Sequence, residues 1–299
     1  MTTLVKFTRL KKIFAAITLF GLVLLTLGAC SQKPHKSNKI TIMTTTNIYS
    51  DIAQNVVGKY GKAEAIITKS SVDPHDFQPT TNDAKALSNA DIVVENGLGY
   101  DSWMDKLASS VDKKPVRVGE DLMGLKKGDN PHIWFDLTMP TKYVNYLVKR
   151  LSKKDPQHAR YYRKNGKKYL AQIAQIQRSA AKLNHQVKKP IYVSEPVFDY
   201  ALESVNIKVA NKDFEKAIQN NTDPSPASVQ KMTEGIKKQK IAFFVDNEQT
   251  SSSTVTNFLK LAQKQNIPVL KVRETIPDNT NYLDWMKDNY QNLAKVARK

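Results

Sequence analysis

From Asp155 to His185 the chain runs thirty-one residues without a strand signal, whereas elsewhere it alternates short β-rich runs with helical patterns. That contrast constrains the fold more than any other feature. Asp155 suits a helix N-cap, and Pro156 suits a first helical position, where its missing N–H costs nothing. Tyr162, Tyr169, Ile173, Ile176, Ala180 and Leu183 then recur at helical spacing, with a basic face opposite. At about 1.5 Å per residue the segment predicts a rod of roughly 45 Å, with Gly166 as an unfavourable residue inside it. Strand candidates are 39–45, 64–70, 90–96 and 115–120 before the rod, and 190–195, 240–247 and 267–274 after it. Helical patterns such as IYSDIAQNVVGKYG and PASVQKMTEGIKKQ lie between them. Such alternation indicates βαβ units and parallel sheets. The expectation is an α/β protein of two lobes, each a mostly parallel β-sheet flanked by helices, joined by one long rigid helix. Leu283, Met286, Tyr290, Leu293 and Val296 predict a docked helix at the C-terminus.

The first 29 residues read as a targeting segment. Lys6, Arg9, Lys11 and Lys12 precede an apolar run from Ile13 to Leu27 that is short for a membrane span. The run leads into LGAC, and Cys30 is the chain's only cysteine, so a disulfide framework is excluded. Leu-Gly-Ala-Cys resembles the bacterial lipobox, in which the cysteine becomes the first mature residue and takes the lipid. A chance cysteine closing an N-terminal transmembrane anchor is the competing reading. Polar, basic residues follow, His35 among them, and read as a solvated tether. The organisation expected is a lipoprotein signal peptide over 1–29, a tether over 30–38, an N-terminal α/β lobe over 39–154, a linking helix over 155–186 and a C-terminal α/β lobe over 187–299. Lipid at Cys30 would hold the protein on the extracytoplasmic face of a bacterial cell membrane.

The formal charge is +18, and removing the four signal-peptide cations leaves +14. A basic surface near a membrane suggests attraction to anionic lipid or wall polymer. Nucleic acid is the rival partner, because HARYYRKNGKKYLAQ (158–172) interleaves aromatics with cations. Its aromatics fall on the buried helical spacing, however, and export separates the protein from nucleic acid. No nucleic-acid partner is expected, and the protein should be a monomer.

In open parallel sheets ligands bind at the carboxyl ends of the strands. His75, His132, Glu195 and Glu274 fall there, and Asp246 falls at the end of KIAFFVD. The stretches DPHDF (73–77) and NPHIW (130–134) share one design: Asp or Asn, Pro, His, one residue, then an aromatic. Neutral imidazole is the commonest protein metal ligand, and proline restricts the backbone before it. Two nitrogens with two carboxylates suit Zn²⁺ or Mn²⁺ and are too hard for copper(I). Glu274 stands beside Arg273 and could form an ordinary ion pair, so Asp246 competes with it for the fourth place.

The stretches PHDFQPTTND (74–83), VENGLGYDSWMDKL (94–107), NPHIWFD (130–136), SEPVFDY (194–200) and DPSPASV (223–229) resemble, in order, the zinc/manganese solute-binding lipoproteins of bacterial metal ABC importers. This cluster A-I, or cluster 9, resemblance runs from about Lys39 to the C-terminus. It implies two α/β lobes joined by one rigid helix, with a metal clamped between them by His75, His132, Glu195 and Glu274. It also implies capture of Mn²⁺ or Zn²⁺ as cargo and delivery to a membrane permease. The chain departs from the family pattern in having Glu at the third position and at the fourth, where Asp is usual. It also lacks a His-rich loop before His132. The first and last departures lean towards manganese.

Two functions of other classes compete. A secreted metal-dependent hydrolase would use Glu195 or Glu274 as general base on metal-bound water. It would need an open coordination position, and the chain has no HExxH motif. An adhesin or wall-binding lipoprotein would use the basic surface alone. The expectation is a binding protein and not an enzyme.

Overall fold

A computed structural model describes residues 39–249 and 252–298 of the chain. The signal segment, Cys30 and the 30–38 tether lie outside the described residues. Residues 40–299 form one compact unit. Its first half lays down β1 (Ile40–Thr46), α1 (Asn47–Val57), β2 (Gly61–Ile67), α2 (Thr81–Ser88), β3 (Ile92–Glu95), α3 (Trp103–Ser110) and β4 (Val116–Arg117). These strands form a parallel sheet in the order β2-β1-β3-β4, with Thr44 opposite Ala65 and Ile42 opposite Ile92. Two long helices follow, α4 (Met139–Lys154) and α5 (Ala159–Ala181). The second half contains β5 (Tyr192–Val193), α6 (Asp199–Ser204), α7 (Lys212–Gln219), α8 (Pro226–Lys237), β6 (Phe244–Asn247), α9 (Ser253–Lys264), β7 (Val269–Val272) and α10 (Tyr282–Ala297). Its sheet is parallel, in the order β5-β6-β7.

The architecture is thus α/β with two parallel sheets, as the alternation predicts, while the individual strands differ from the sequence reading. β2 starts at Gly61, three residues early, because as an edge strand it tolerates the exposed Lys62 and half-buried Glu64. The run 115–120 yields only the two-residue β4, since Val118 to Met123 turn into a wide helical loop. The rod is shorter than its pattern predicts. Asp155 and Pro156 open a separate 3₁₀ turn, and α5 itself spans 23 residues, or roughly 35 Å. Asp155 does not cap the backbone; its carboxylate accepts from the Tyr162 hydroxyl at 2.6 Å and lies 2.7 Å from His158 Nδ1.

Gly166 has a packing reason. A Cβ there would stand 2.6 Å from Val148 Cγ2, so glycine lets α5 lie close against α4. The main apolar core runs through both halves. Phe135 packs against Phe198 (ring centroids 4.9 Å apart) and Trp285 (5.2 Å). From α10 the Tyr282 hydroxyl donates to the Trp134 carbonyl at 2.6 Å. No described helix is long and apolar enough to cross a membrane.

Candidate metal centre

Loops that leave the carboxyl ends of both sheets surround a cleft of about 760 Å³. His75, His132, Glu195 and Glu274 all line it; Asp246 does not. Strand alternation explains the exclusion, since neighbouring residues in β6 face opposite ways. Asn247 lines the cleft and donates from Nδ2 to Glu195 Oε2 at 2.7 Å, whereas Asp246 sits on the other side of the strand, where burial raises its pKa and the Lys271 ammonium lowers it.

The repeated Asx-Pro-His design is a turn. Asp73 Oδ1 accepts from the His75 N–H at 2.8 Å, and Asn130 Oδ1 from the His132 N–H at 3.0 Å. Each is an Asx turn closed over its proline. In the second turn Asn130 does more. Its Oδ1 also lies 2.7 Å from His132 Nδ1, while its Nδ2 donates to the Pro196 carbonyl at 2.7 Å. An amide nitrogen facing a carbonyl must donate, so Oδ1 is the acceptor and the His132 proton resides on Nδ1. The Nε2 lone pair is then turned to the cleft, the tautomer a metal needs.

The aromatics hold these loops. Trp103 packs on Phe77 at 4.7 Å and donates from Nε1 to the Pro74 carbonyl at 3.0 Å. Trp134 meets the His132 ring edge-on at 5.3 Å. Tyr100 stands between the two imidazoles, 4.6 Å from the His75 ring and 6.4 Å from the His132 ring.

Both histidine Nε2 atoms converge on one oxygen. Glu274 Oε1 lies 3.9 Å from that of His75 and 3.8 Å from that of His132, and it is buried without a hydrogen-bond partner. These separations are too long for hydrogen bonds. Two donors bound tetrahedrally at about 2.1 Å from one ion would lie about 3.4 Å apart. Each nitrogen thus stands only a few tenths of an ångström farther from the Glu274 oxygen than two ligands of one ion would. Among the described residues no group of three or more His, Cys, Asp or Glu side chains stands close enough together to hold a metal ion. Two imidazoles and two carboxylates lining one cleft are donors of the kind that borderline divalent cations take.

The electrostatics suit a cation. Burial, assisted by the nearby His75, holds the His132 imidazole at about pKa 3, so it is neutral at ordinary pH. Burial also pushes the Glu274 carboxyl up to about 7; the Tyr100 hydroxyl facing it works the other way, and the charges of Glu195 and Asp73 raise it further.

Three supporting residues are not singled out from the sequence: Asn247, which shares its strand end with Asp246, and Tyr100 and Gln249, which lie off the strand ends. Gln249 Oε1 accepts from the Glu274 N–H at 2.8 Å, and its Nε2 donates to the Ser70 carbonyl at 3.2 Å. Thr275 Oγ1 donates to the same carbonyl at 2.8 Å. The loop that ends in His75 is thereby tied to the loop that carries Glu274. Tyr100 had a signal in its place in VENGLGYD and Asn247 in its place at the end of KIAFFVDN; Gln249 had none.

Residues 42–296 match the family model described as zinc-uptake complex component A, periplasmic. The metal ABC transporter substrate-binding lipoprotein ScbA of Streptococcus cristatus is 28% identical over 313 residues, covering 95% of this chain and 98% of its own. The manganese ABC transporter substrate-binding lipoprotein PsaA of Streptococcus pneumoniae is 25% identical over 318 residues, covering 97% and 100%. Among solved structures, the Zn(II)-bound ZnuA-like domain of Streptococcus pneumoniae AdcA shares the fold with a TM-score of 0.69 at 22% identity, over 88% of this chain and all of that one.

Proposed function

The chain belongs to the zinc-uptake complex component A family, and from that premise we propose that it captures Mn²⁺ or Zn²⁺ on His75, His132, Glu195 and Glu274 and delivers it to the permease of an ABC importer. The observation that carries the site is the convergence of two imidazole Nε2 atoms on the unpartnered, buried Glu274 oxygen. Glu195, steadied by Asn247, supplies the second carboxylate from the same cleft. On a tetrahedral ion such as Zn²⁺ four protein ligands leave no coordination position for an activated water, unlike a metallohydrolase, which keeps one open. The chain works as a monomer, held by lipid at Cys30 to the extracytoplasmic membrane face.

One core through both halves and a packed linking helix oppose wide hinge opening. Release therefore proceeds by local rearrangement of the loops around Glu195 and Glu274. Metal-free and metal-loaded crystal structures should superpose without a large lobe rotation; a large rotation would refute this route.

The site is tested by metal analysis and competitive Mn²⁺/Zn²⁺ titration of residues 31–299, which contain the whole compact unit, with Glu195→His and Glu274→Ala beside it. Glu274→Ala should weaken binding on the order of 100-fold. Unchanged affinity would remove Glu274 from the site.

A further inference from the structure

Residues 137–194 hold fourteen Lys and Arg and one acid, Asp155, a net +13 in a chain of net +18. The first 38 residues add six cations and no acid, so everything else sums to −1. The basic character of the folded unit is therefore confined to α4, α5 and the short stretch that follows them. On α5 the residues Arg160, Arg163, Lys164, Lys167 and Lys168 are all exposed and form one stripe opposite the buried Tyr162, Gly166 and Tyr169. Lys149, Arg150, Lys153 and Lys154 are exposed on the last turns of the adjoining α4. Of these nine cations only Lys154 has an ion-pair partner among the described residues, Asp91 at 2.9 Å. None of residues 137–194 lines the metal cleft.

The chain enters the fold at this corner. Thr41, the second residue of β1, donates its N–H at 2.9 Å to the same Asp91 that Lys154 holds. Ile40 pairs with Gly61, and the turn just before Gly61 rests on α5: a Cβ on Gly58 would stand 2.4 Å from the Tyr161 hydroxyl, and Tyr60 stacks on His158 at 3.6 Å. β1 runs from here towards the sheet end where the cleft opens. The basic corner and the cleft thus lie at opposite ends of the first sheet. Cys30 is ten residues before Ile40 in sequence, a reach of at most about 35 Å.

We propose that the exposed face of α4 and α5 docks on the anionic phospholipid headgroups of the membrane that bears the lipid anchor, turning the metal cleft towards the medium. The face is two helices side by side with separate, exposed cations. It offers no buried cationic pocket that would grip one polymer chain, and it suits an extended array of headgroup phosphates, with attraction acting within a Debye length of about 8 Å. The orientation rests on lipidation at Cys30; the lipid affinity does not, and the experiment separates them by using residues 31–299, which lack the anchor.

That protein is sedimented with vesicles of mixed phosphatidylcholine and phosphatidylglycerol, and with phosphatidylcholine alone. It should bind only the mixed vesicles, at least roughly tenfold more weakly when salt rises from about 0.05 M to about 0.3 M. Arg163→Gln, Lys164→Gln, Lys167→Gln and Lys168→Gln together should reduce binding at least roughly tenfold while leaving metal affinity unchanged. The same number of changes elsewhere, at Lys216, Lys231, Lys237 and Lys240, should have little effect. Equal loss in both variants would mean that net charge and not this face governs binding, and would overturn the proposal. So would binding of purified wall polyanion through the α5 cations with none to the mixed vesicles. Cell fractionation of Cys30→Ala tests the anchor separately.

Discussion

The loops 73–77 and 130–134 carry one local device, yet His75 is 40% exposed and His132 only 2%. Both close an Asx turn over proline, and both point Nε2 at the same Glu274 oxygen. The difference arises in what stands behind each ring. His132 backs onto Trp134 in the core, and its Nδ1 is held by Asn130, whose amide also reaches Pro196 in the second half. Asp73 serves only the backbone, and an aspartate could not donate to a carbonyl as Asn130 does. The His132 ring is thus fixed in advance, whereas the more exposed His75 ring is held less; if both bind the proposed metal, His75 has the more ordering left to do. Preorganisation lowers the ordering cost of binding, so the two should contribute unequally.

The largest test is truncation. His132→Ala should weaken metal binding on the order of 1000-fold and His75→Ala on the order of 100-fold, read by competition with a chromophoric chelator. The reverse ranking would break the comparison. Next comes the residue behind the ring. Asn130→Ala frees the His132 tautomer and should cost roughly 10- to 100-fold in affinity, while Asp73→Ala should cost no more than about threefold, an Asx turn being only a local support.

Acid stability sharpens the same contrast in the metal-free protein. Burial lowers the folded His132 pKa to about 3, whereas the unfolded chain takes up the proton near the ordinary value of about 6.5. Its contribution is therefore fully present above about pH 6.5 and is lost as pH falls towards 3. At pH 5 the loss is about 2 kcal/mol relative to pH 7.5. Carboxylates with raised pKa values, such as Glu95 at about 8, contribute the opposite slope, so the readout is the difference between variants. Urea denaturation should show that His132→Gln removes that acid loss and that His75→Gln leaves it; identical slopes for the two would contradict the burial argument. The smallest effect belongs to Trp103→Phe, which deletes the bond to the Pro74 carbonyl. Affinity should fall by only about two- to fivefold, with faster amide exchange in the 73–77 loop as the check.

Much of the candidate site's cleft placement was legible because its nitrogen half is local. An Asx turn spans two residues, so DPHDF and NPHIW display their turns, and hence the two imidazoles, in the sequence itself. The carboxylate half is not local. The buried Glu274 Oε1 faces His75 and His132, residues more than a hundred positions away, and its backbone is set by Gln249, which no motif marks. Asp246 and Asn247 are equally plausible in a list of strand ends; only the facing of β6 put Asn247 beside Glu195 and turned Asp246 away.

The fold divides in the same way. Alternating β-rich and helical runs determine an α/β protein with parallel sheets, because a buried parallel strand must be short, apolar and followed by a crossover helix. The long helical period from Tyr162 onwards determines a linking helix, and the concentration of cations in 137–194 is written in the chain. Strand limits, the close packing at Gly166 and the convergence on Glu274 were decided by the tertiary structure. Each depends on pairings across tens to hundreds of residues, such as Ile40 with Gly61 or Thr275 with Ser70. Local sequence sets which conformations a segment can adopt, but long-range burial chooses among them.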